Sequence, residues 1–393
     1  MKPLRILWHS AAYWEPTGYG TQTATWTDYL AKQGHEVIES ARTSLMYQIA
    51  SHNGRWVLPG PPFSGEGVQD EMLPGHVKFV EKQIGPVDLV IILYDGWHFG
   101  LPPERYPQVP IAFWVPIDSA PMDEKEQTMM AGGHLYPVAM SKFGSAQMKA
   151  AGIAHGYIPH GINTAVWQPL PSMRHELRDM FKVPRDAFVI GMNSACTDVT
   201  RKGIWEQLEA FSIFLRKHPG AVMMIHSLPA FRHGADIARM VQVLGIPSAA
   251  IRVPDPYDYL RGAISGDNML HWYNALDVLT NCSYGEGFGL AAVEAQACGI
   301  PVILSKNSTG PELVGPGWLV ETQHAWQGTH RAQWGAPFTK GIVKAYEAAW
   351  RVAANPDKAL ELSKKCWRFA EAYDVERVGP MWEPVLQAAT GRT

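Results

Sequence analysis

The sequence predicts an α/β protein of two doubly wound, Rossmann-like domains in tandem, and three observations carry that prediction. Short aliphatic runs alternate with helical stretches, the pattern of parallel strands joined by crossover helices. The alternation restarts near residue 187, after a stretch rich in proline and mixed charge, as it would past a domain boundary. The length of 393 residues is ample for two cores of ordinary size.

Leu4-Arg5-Ile6-Leu7-Trp8 reads as a buried first strand, followed by the turn Glu15-Pro16-Thr17-Gly18-Tyr19-Gly20 and a helical stretch through Ala31. His35-Glu36-Val37-Ile38, Val87 to Leu93 and Pro110 to Val115 read as the next strands, with helical or irregular segments between them. Tyr136 to Met140 is a fifth, and Ser141 after it is a natural N-cap for a helix to Ala151. In the second half Ala187 to Met192, Val222 to His226, Ile251 to Val253, Val278 to Thr280 and Pro301 to Leu304 are the strands. Helices are expected over Gly203 to Lys217, around Met269 to Ala275 and up to Cys298. The expected organisation is a first domain over 1–163, a second over 164–372 and a final segment over 373–393.

Composition narrows the classes. Hydrophobic residues make up 46% and charged residues 18%, and 30 Pro and 36 Gly are spread along the chain, which excludes disordered, collagenous and coiled-coil chains. The run Val87 to Leu93 is interrupted by Asp88 and falls far short of the roughly 20 apolar residues of a bilayer span. With no signal-like N-terminus, a cytoplasmic protein without an integral membrane segment is expected. Cys196, Cys282, Cys298 and Cys366 are too dispersed for a zinc or redox motif. Residues 1–165 hold 11 Lys/Arg against 15 Asp/Glu, a balance that makes nucleic acid an unlikely partner.

The most informative stretch is Ser283-Tyr284-Gly285-Glu286-Gly287-Phe288-Gly289-Leu290-Ala291-Ala292-Val293-Glu294. Gly287 and Gly289 let backbone approach a ligand closely, and a helix starting near Gly289 offers unpaired N–H groups and a positive dipole end to a phosphate. Glu286 lies on the loop and Glu294 about one and a half turns into the helix, leaning back toward its N-terminus. Both carboxylates therefore face one crevice.

These residues, with Ala297-Cys298-Gly299-Ile300-Pro301-Val302-Ile303 and Glu312-Leu313-Val314 beyond them, resemble the donor-site signature of the retaining, nucleotide-sugar-dependent glycosyltransferases of family four. The resemblance implies the GT-B fold, two Rossmann-like domains facing each other across a cleft, with the acceptor on the N-terminal domain and the donor on the C-terminal one. It also implies that residues 373–393 return to the N-terminal domain. By resemblance, Glu286 contacts the donor sugar hydroxyls, the backbone of Gly287, Phe288, Gly289 and Leu290 meets sugar and phosphate, and Glu294 holds the ribose. Lys202, in Thr200-Arg201-Lys202-Gly203, resembles the lysine that neutralises the diphosphate. The usual arginine partner is missing at Cys196 and Thr197, so Arg201 is the candidate.

Gly18 and Gly20 resemble the family's glycine-containing loop over the diphosphate, and Gly18 to Thr23 is also an incomplete dinucleotide fingerprint. Asp118, at a strand end, is the candidate to orient the acceptor hydroxyl or take its proton; capping the turn before Pro121 is the alternative. Asp95 to His98 sits where acceptor contacts are expected, Ile158 to Asn163 resembles the interdomain segment, and Tyr257 is the candidate to stack on the nucleobase. No acidic triplet indicates a metal, so no cofactor is expected beyond the nucleotide diphosphate sugar that serves as donor substrate. The leading expectation is a retaining, metal-independent glycosyltransferase of hexosyltransferase type whose acceptor is a glycan, lipid, small molecule or protein. A non-catalytic nucleotide-sugar-binding protein is the alternative, and a nicotinamide oxidoreductase or a hydrolase using Glu286 and Glu294 stands behind it.

Overall fold

The computed structural model describes residues 2–42, 48–60, 69–231, 233–261, 267–327 and 331–392. The chain forms two compact units, one of Met1–Gly161, His330–Ala332 and Val375–Thr393, the other of Ile162–Thr329 and Gln333–Asp374.

The first unit holds β1 (Arg5–Ser10), β2 (Glu36–Ala41), β3 (Ala50–His52), β4 (Arg55–Leu58), β5 (Leu89–Leu93), β6 (Ile111–Val115), β7 (Tyr136–Ala139) and β8 (Gly156–Tyr157). They make one sheet in the order β3-β4-β2-β1-β5-β6-β7-β8. Every pair is parallel except β3 with β4. Residues of β5 and β6 are buried without alternation, as helices on both faces of a parallel sheet require. The antiparallel pair was expected to be helical or irregular. It exists because Asn53 and Gly54 both adopt positive φ, 47° and 81°, the geometry of a two-residue type I′ hairpin turn.

Ser141 caps the helix Lys142–Ala150, its hydroxyl accepting from Gly144 N at 3.0 Å. The core is closed by four indoles, Trp8, Trp26, Trp114 and Trp382, each at most 1% exposed. Trp382 lies 5.2 to 5.7 Å from the other three by ring centroid, so the C-terminal helix Trp382–Thr390 belongs to this core. Removing one such ring costs about 3–5 kcal/mol.

The second unit holds β9 (Val189–Asn193), β10 (Val222–His226), β11 (Ile251–Arg252), β12 (Val278–Asn281), β13 (Val302–Ser305) and β14 (Trp318–Val320). They form an all-parallel sheet in the order β11-β10-β9-β12-β13-β14. β15 (Thr322–Gln327) and β16 (Ala332–Pro337) form a separate pair. The mixed charge before β9 has a structural use. Asp277 accepts from Arg174 at 2.6 Å, Arg178 at 2.8 Å and Val189 N at 2.7 Å, which fixes the start of β9 beside that of β12. The strand order reverses between β9 and β12, the switch point where doubly wound sheets open a crevice at their carboxyl ends.

Candidate functional site

The site is assembled at the carboxyl ends of β9 and β12, and a glycine brings their loops together. Gly203 caps the helix Ile204–Leu215 at φ 56°, and a Cβ on it would lie 2.2 Å from the carbonyl oxygen of Cys282. Only glycine satisfies both conditions. Tyr284 N donates to Arg201 O at 2.8 Å, a second stitch between the loops. Gln207 is a third, buried on the inner face of its helix. Its amide nitrogen donates to Lys202 O at 2.9 Å, and its oxygen accepts from Cys282 N at 3.1 Å and Thr280 Oγ1 at 2.9 Å.

Lys202, Arg201 and Glu286 meet as a result. Lys202 Nζ donates to Glu286 Oε1 at 2.5 Å, Ser283 Oγ donates to the same oxygen at 2.8 Å, and Arg201 Nη1 lies 3.8 Å from Oε2. Ser308, held at φ 44° after β13, accepts from Glu286 N through its hydroxyl at 3.0 Å. A non-glycine residue in the left-handed region is strain of the kind that gathers at functional sites. Burial pushes the Glu286 carboxyl up, but the charges of Lys202 and Arg201 and the hydrogen bonds from Lys202 and Ser283 outweigh it and hold the pKa below its ordinary value. The side chain keeps 19% exposure, so an ionised carboxylate borders solvent between two cations.

Gly289 caps the helix Leu290–Ala297 at φ 108°, again a conformation for glycine. Thr309 Oγ1 donates to Phe288 O at 2.6 Å, anchoring the turn that aims the helix start. The first amides of that helix have no intrahelical acceptor, and with the dipole they suit an anion. Four residues in, Glu294 accepts from Tyr273 Oη at 2.8 Å. Tyr273 Oη accepts in turn from Asn193 Nδ2 at 2.8 Å, and Asn193 Oδ1 lies 3.0 Å from His226 Nδ1. Burial raises the Glu294 pKa to about 7 against the lowering effect of the tyrosine hydrogen bond. Two carboxylates eight residues apart are thus tuned in opposite directions.

The other expected site residues are placed as follows. Gly287 is buried, and the Phe288 ring is buried against Tyr373 at 5.7 Å, so Phe288 can offer a ligand only its backbone. Tyr257 is 73% exposed with Arg261 over its ring, whereas Tyr259 on the same short helix packs 5.1 Å from His226 and so joins the chain leading to Glu294. Gly18 and Gly20 lie in the first turn of the helix Gly18–Lys32, capped by Thr17, rather than in a loop. A Cβ on Gly20 would lie 2.2 Å from Glu15 O and 2.9 Å from Ala12 O, so that glycine is required by packing.

Asp118 follows β6, half-buried. With Asp123 and Asp95 it surrounds Glu126, which burial first and these charges second push well above the ordinary value. The neighbouring helix is capped by Asp123, whose carboxylate accepts from Lys125 N and Glu126 N. The four cysteines are buried free thiols. Among the described residues no group of three or more His, Cys, Asp or Glu is arranged to hold a metal, and no helix is long and apolar enough to cross a membrane.

Gln207, Tyr273, Tyr259, Ser283 and Ser308 are site residues that sequence reasoning did not select. Gln207 had a signal, a polar residue among Ile204, Leu208 and Phe211 on one apolar helix face; Ser283 stood at the head of the glycine-rich stretch without a role of its own, and the others had none.

Residues 208–330 match the family described as Glycosyl transferases group 1. The D-inositol 3-phosphate glycosyltransferase of Mycolicibacterium smegmatis is 30% identical over 153 residues, 37% of this chain and 31% of that protein. The O-antigen chain mannosyltransferase B of Escherichia coli is 30% identical over 98 residues, 23% of this chain and 26% of that protein. The matched segments therefore span less than a third of these curated relatives. Among solved structures, sucrose-phosphate synthase from Thermosynechococcus elongatus aligns over 98% of this chain and 100% of its own, with a TM-score of 0.76 at 19% identity. HepE from Anabaena, solved in complex with UDP-glucose, aligns over 98% of this chain and 100% of its own, with a TM-score of 0.72 at 14% identity. The fold is that of the GT-B glycosyltransferases, and the family match falls on its second unit, over residues 208–330.

Proposed function

We propose that this protein is a retaining, metal-independent glycosyltransferase of hexosyltransferase type that binds a nucleotide diphosphate sugar on its second unit and transfers the sugar to an acceptor hydroxyl. The observation that carries the reading is the convergence of Lys202, Arg201 and Ser283 on Glu286, one turn ahead of the helix that carries Glu294.

In this reading the donor diphosphate lies at the start of the helix Leu290–Ala297, where backbone amides, the helix dipole and the cations Lys202 and Arg201 offset its charge and stabilise the departing diphosphate. As Lys202 turns to the phosphates, Glu286 is left to accept hydrogen bonds from the donor sugar. Glu294 accepts from the ribose hydroxyls, steadied by Tyr273. The departing diphosphate and the incoming hydroxyl share one face of the sugar, which gives retention, and Asp118 on the first unit orients the acceptor. Tyr257 completes the proposed donor contacts on the second unit. The same reading places the protein in the cytoplasm.

The test is turnover. The protein is incubated in EDTA with UDP-, GDP-, ADP- and TDP-sugars and a panel of glycan, lipid, small-molecule and peptide acceptors. The account expects nucleoside diphosphate release dependent on one donor and one acceptor class, with product of the donor's anomeric configuration. Donor binding without transfer to any acceptor would leave a nucleotide-sugar-binding protein, and inverted product would overturn retention.

A further inference from the structure

We infer that the second unit carries a separate binding pocket for a single-chain amphiphilic anion, under the helix Pro356–Ala370. The pocket lies at the C-terminal end of the helix Leu290–Ala297, opposite the end that carries the candidate donor site. None of Glu286, Glu294, Lys202 or Arg201 lines it.

The helix Pro356–Ala370 buries only Cys366 and Ala370. Its positions 360, 363, 364, 367 and 368 share one face by helical periodicity, and that face borders a cavity of about 360 Å³ instead of the core. The volume lies within the roughly 300–1,000 Å³ of small-molecule sites. Leu360 and Trp367 give this face an apolar surface, and Leu360 is 54% exposed. Pro169, Leu170 and Ile300 form an apolar wall across the cavity. Such a lining suits an alkyl chain.

Charge selects the head group. Lys364 and Arg368 stand at i and i+4 on the cavity face, and among the described residues neither has an ion-pair or hydrogen-bond partner. The nearby Glu361 is committed to Lys365 at 2.7 Å. Two like charges at this spacing repel, so an anion between them would relieve the repulsion. The third cation of the lining, Arg174, is already engaged with Asp277 at 2.6 Å and Leu276 O at 2.9 Å and holds the wall in place. One pair of cations beside an apolar void therefore fits one anionic head on one apolar chain.

The test is calorimetric titration of the full chain with decyl phosphate below its micelle-forming concentration, beside decanol and inorganic phosphate. The variants are Lys364→Ala/Arg368→Ala and Leu360→Glu, all at exposed positions, with melting temperature as the control for folding. The expected result is one decyl phosphate per chain, at least tenfold weaker binding of decanol and of inorganic phosphate, and at least a tenfold loss in either variant. Absence of decyl phosphate binding, equal binding of decanol, or unchanged binding in the double variant would overturn the proposal. So would adsorption to phosphatidylglycerol vesicles without binding of the monomeric probe, which would assign the cations to a membrane surface.

Discussion

In each unit the first strand leads through a glycine-bearing segment into a helix, yet the two glycines do different things. In the first unit Gly20 sits inside the helix and is pressed against the carbonyls of Glu15 and Ala12, eight residues away or fewer. The turn folds on itself. In the second unit Gly203 caps its helix and is pressed against the carbonyl of Cys282, and the loop after β12 is thereby drawn to the loop after β9. A glycine demanded by local packing keeps a helix start compact; one demanded by a distant backbone joins two loops and places Lys202 on Glu286.

The largest effect expected from breaking this arrangement is at the charges. Lys202→Ala or Glu286→Gln should lower kcat/KM by about 10²–10³, the cost of removing one group aimed at transition-state charge, read by nucleoside diphosphate release. Gly203→Ala should come next, destabilising by about 1–3 kcal/mol from the unfavourable φ and the close contact and also weakening donor binding. Gly20→Ala should cost a similar amount through overpacking alone, so chemical denaturation paired with donor titration separates the two turns.

A third effect is on pH. Glu294 is raised from 4.5 to about 7, so between those values the native state holds a proton that the unfolded chain has released, and stability falls as pH rises through the window. The melting temperature of the unaltered protein relative to Glu294→Gln should therefore be higher at pH 5 than at pH 7.5. The smallest effect is Tyr273→Phe, about 1–2 kcal/mol for the two hydrogen bonds of its hydroxyl, to Glu294 and from Asn193. It should move the Glu294 titration further up, seen as a shift of the same pH window.

Much of this was legible in the sequence because it was local. Alternating aliphatic runs with both faces buried define strands such as β5 and β9 whatever their surroundings, and Ser283 to Glu294 carries its glycines and carboxylates within twelve residues. Asn53-Gly54 was legible too, a strong hairpin signal, but Ala50-Ser51-His52 before it lacks β-branched residues and conceals the strand. What could not be read was contact at a distance. Gly203 against Cys282, Gln207 bridging both loops, Tyr273 on Glu294 and Trp382 among the indoles join residues 21 to more than 350 positions apart. No period or motif encodes such pairs.

The central claim is that the Lys202–Glu286 turn and Glu294 form a nucleotide diphosphate sugar site. It is tested most directly by thermal stabilisation with UDP-, GDP-, ADP- and TDP-sugars and NAD, on the unaltered protein and on Lys202→Ala and Glu294→Ala. One nucleotide sugar at 100 times its dissociation constant should add about 2.7 kcal/mol, and both variants should lose that gain at the same concentration. No stabilisation by any nucleotide sugar, stabilisation by NAD alone, or a gain that survives in both variants would contradict it.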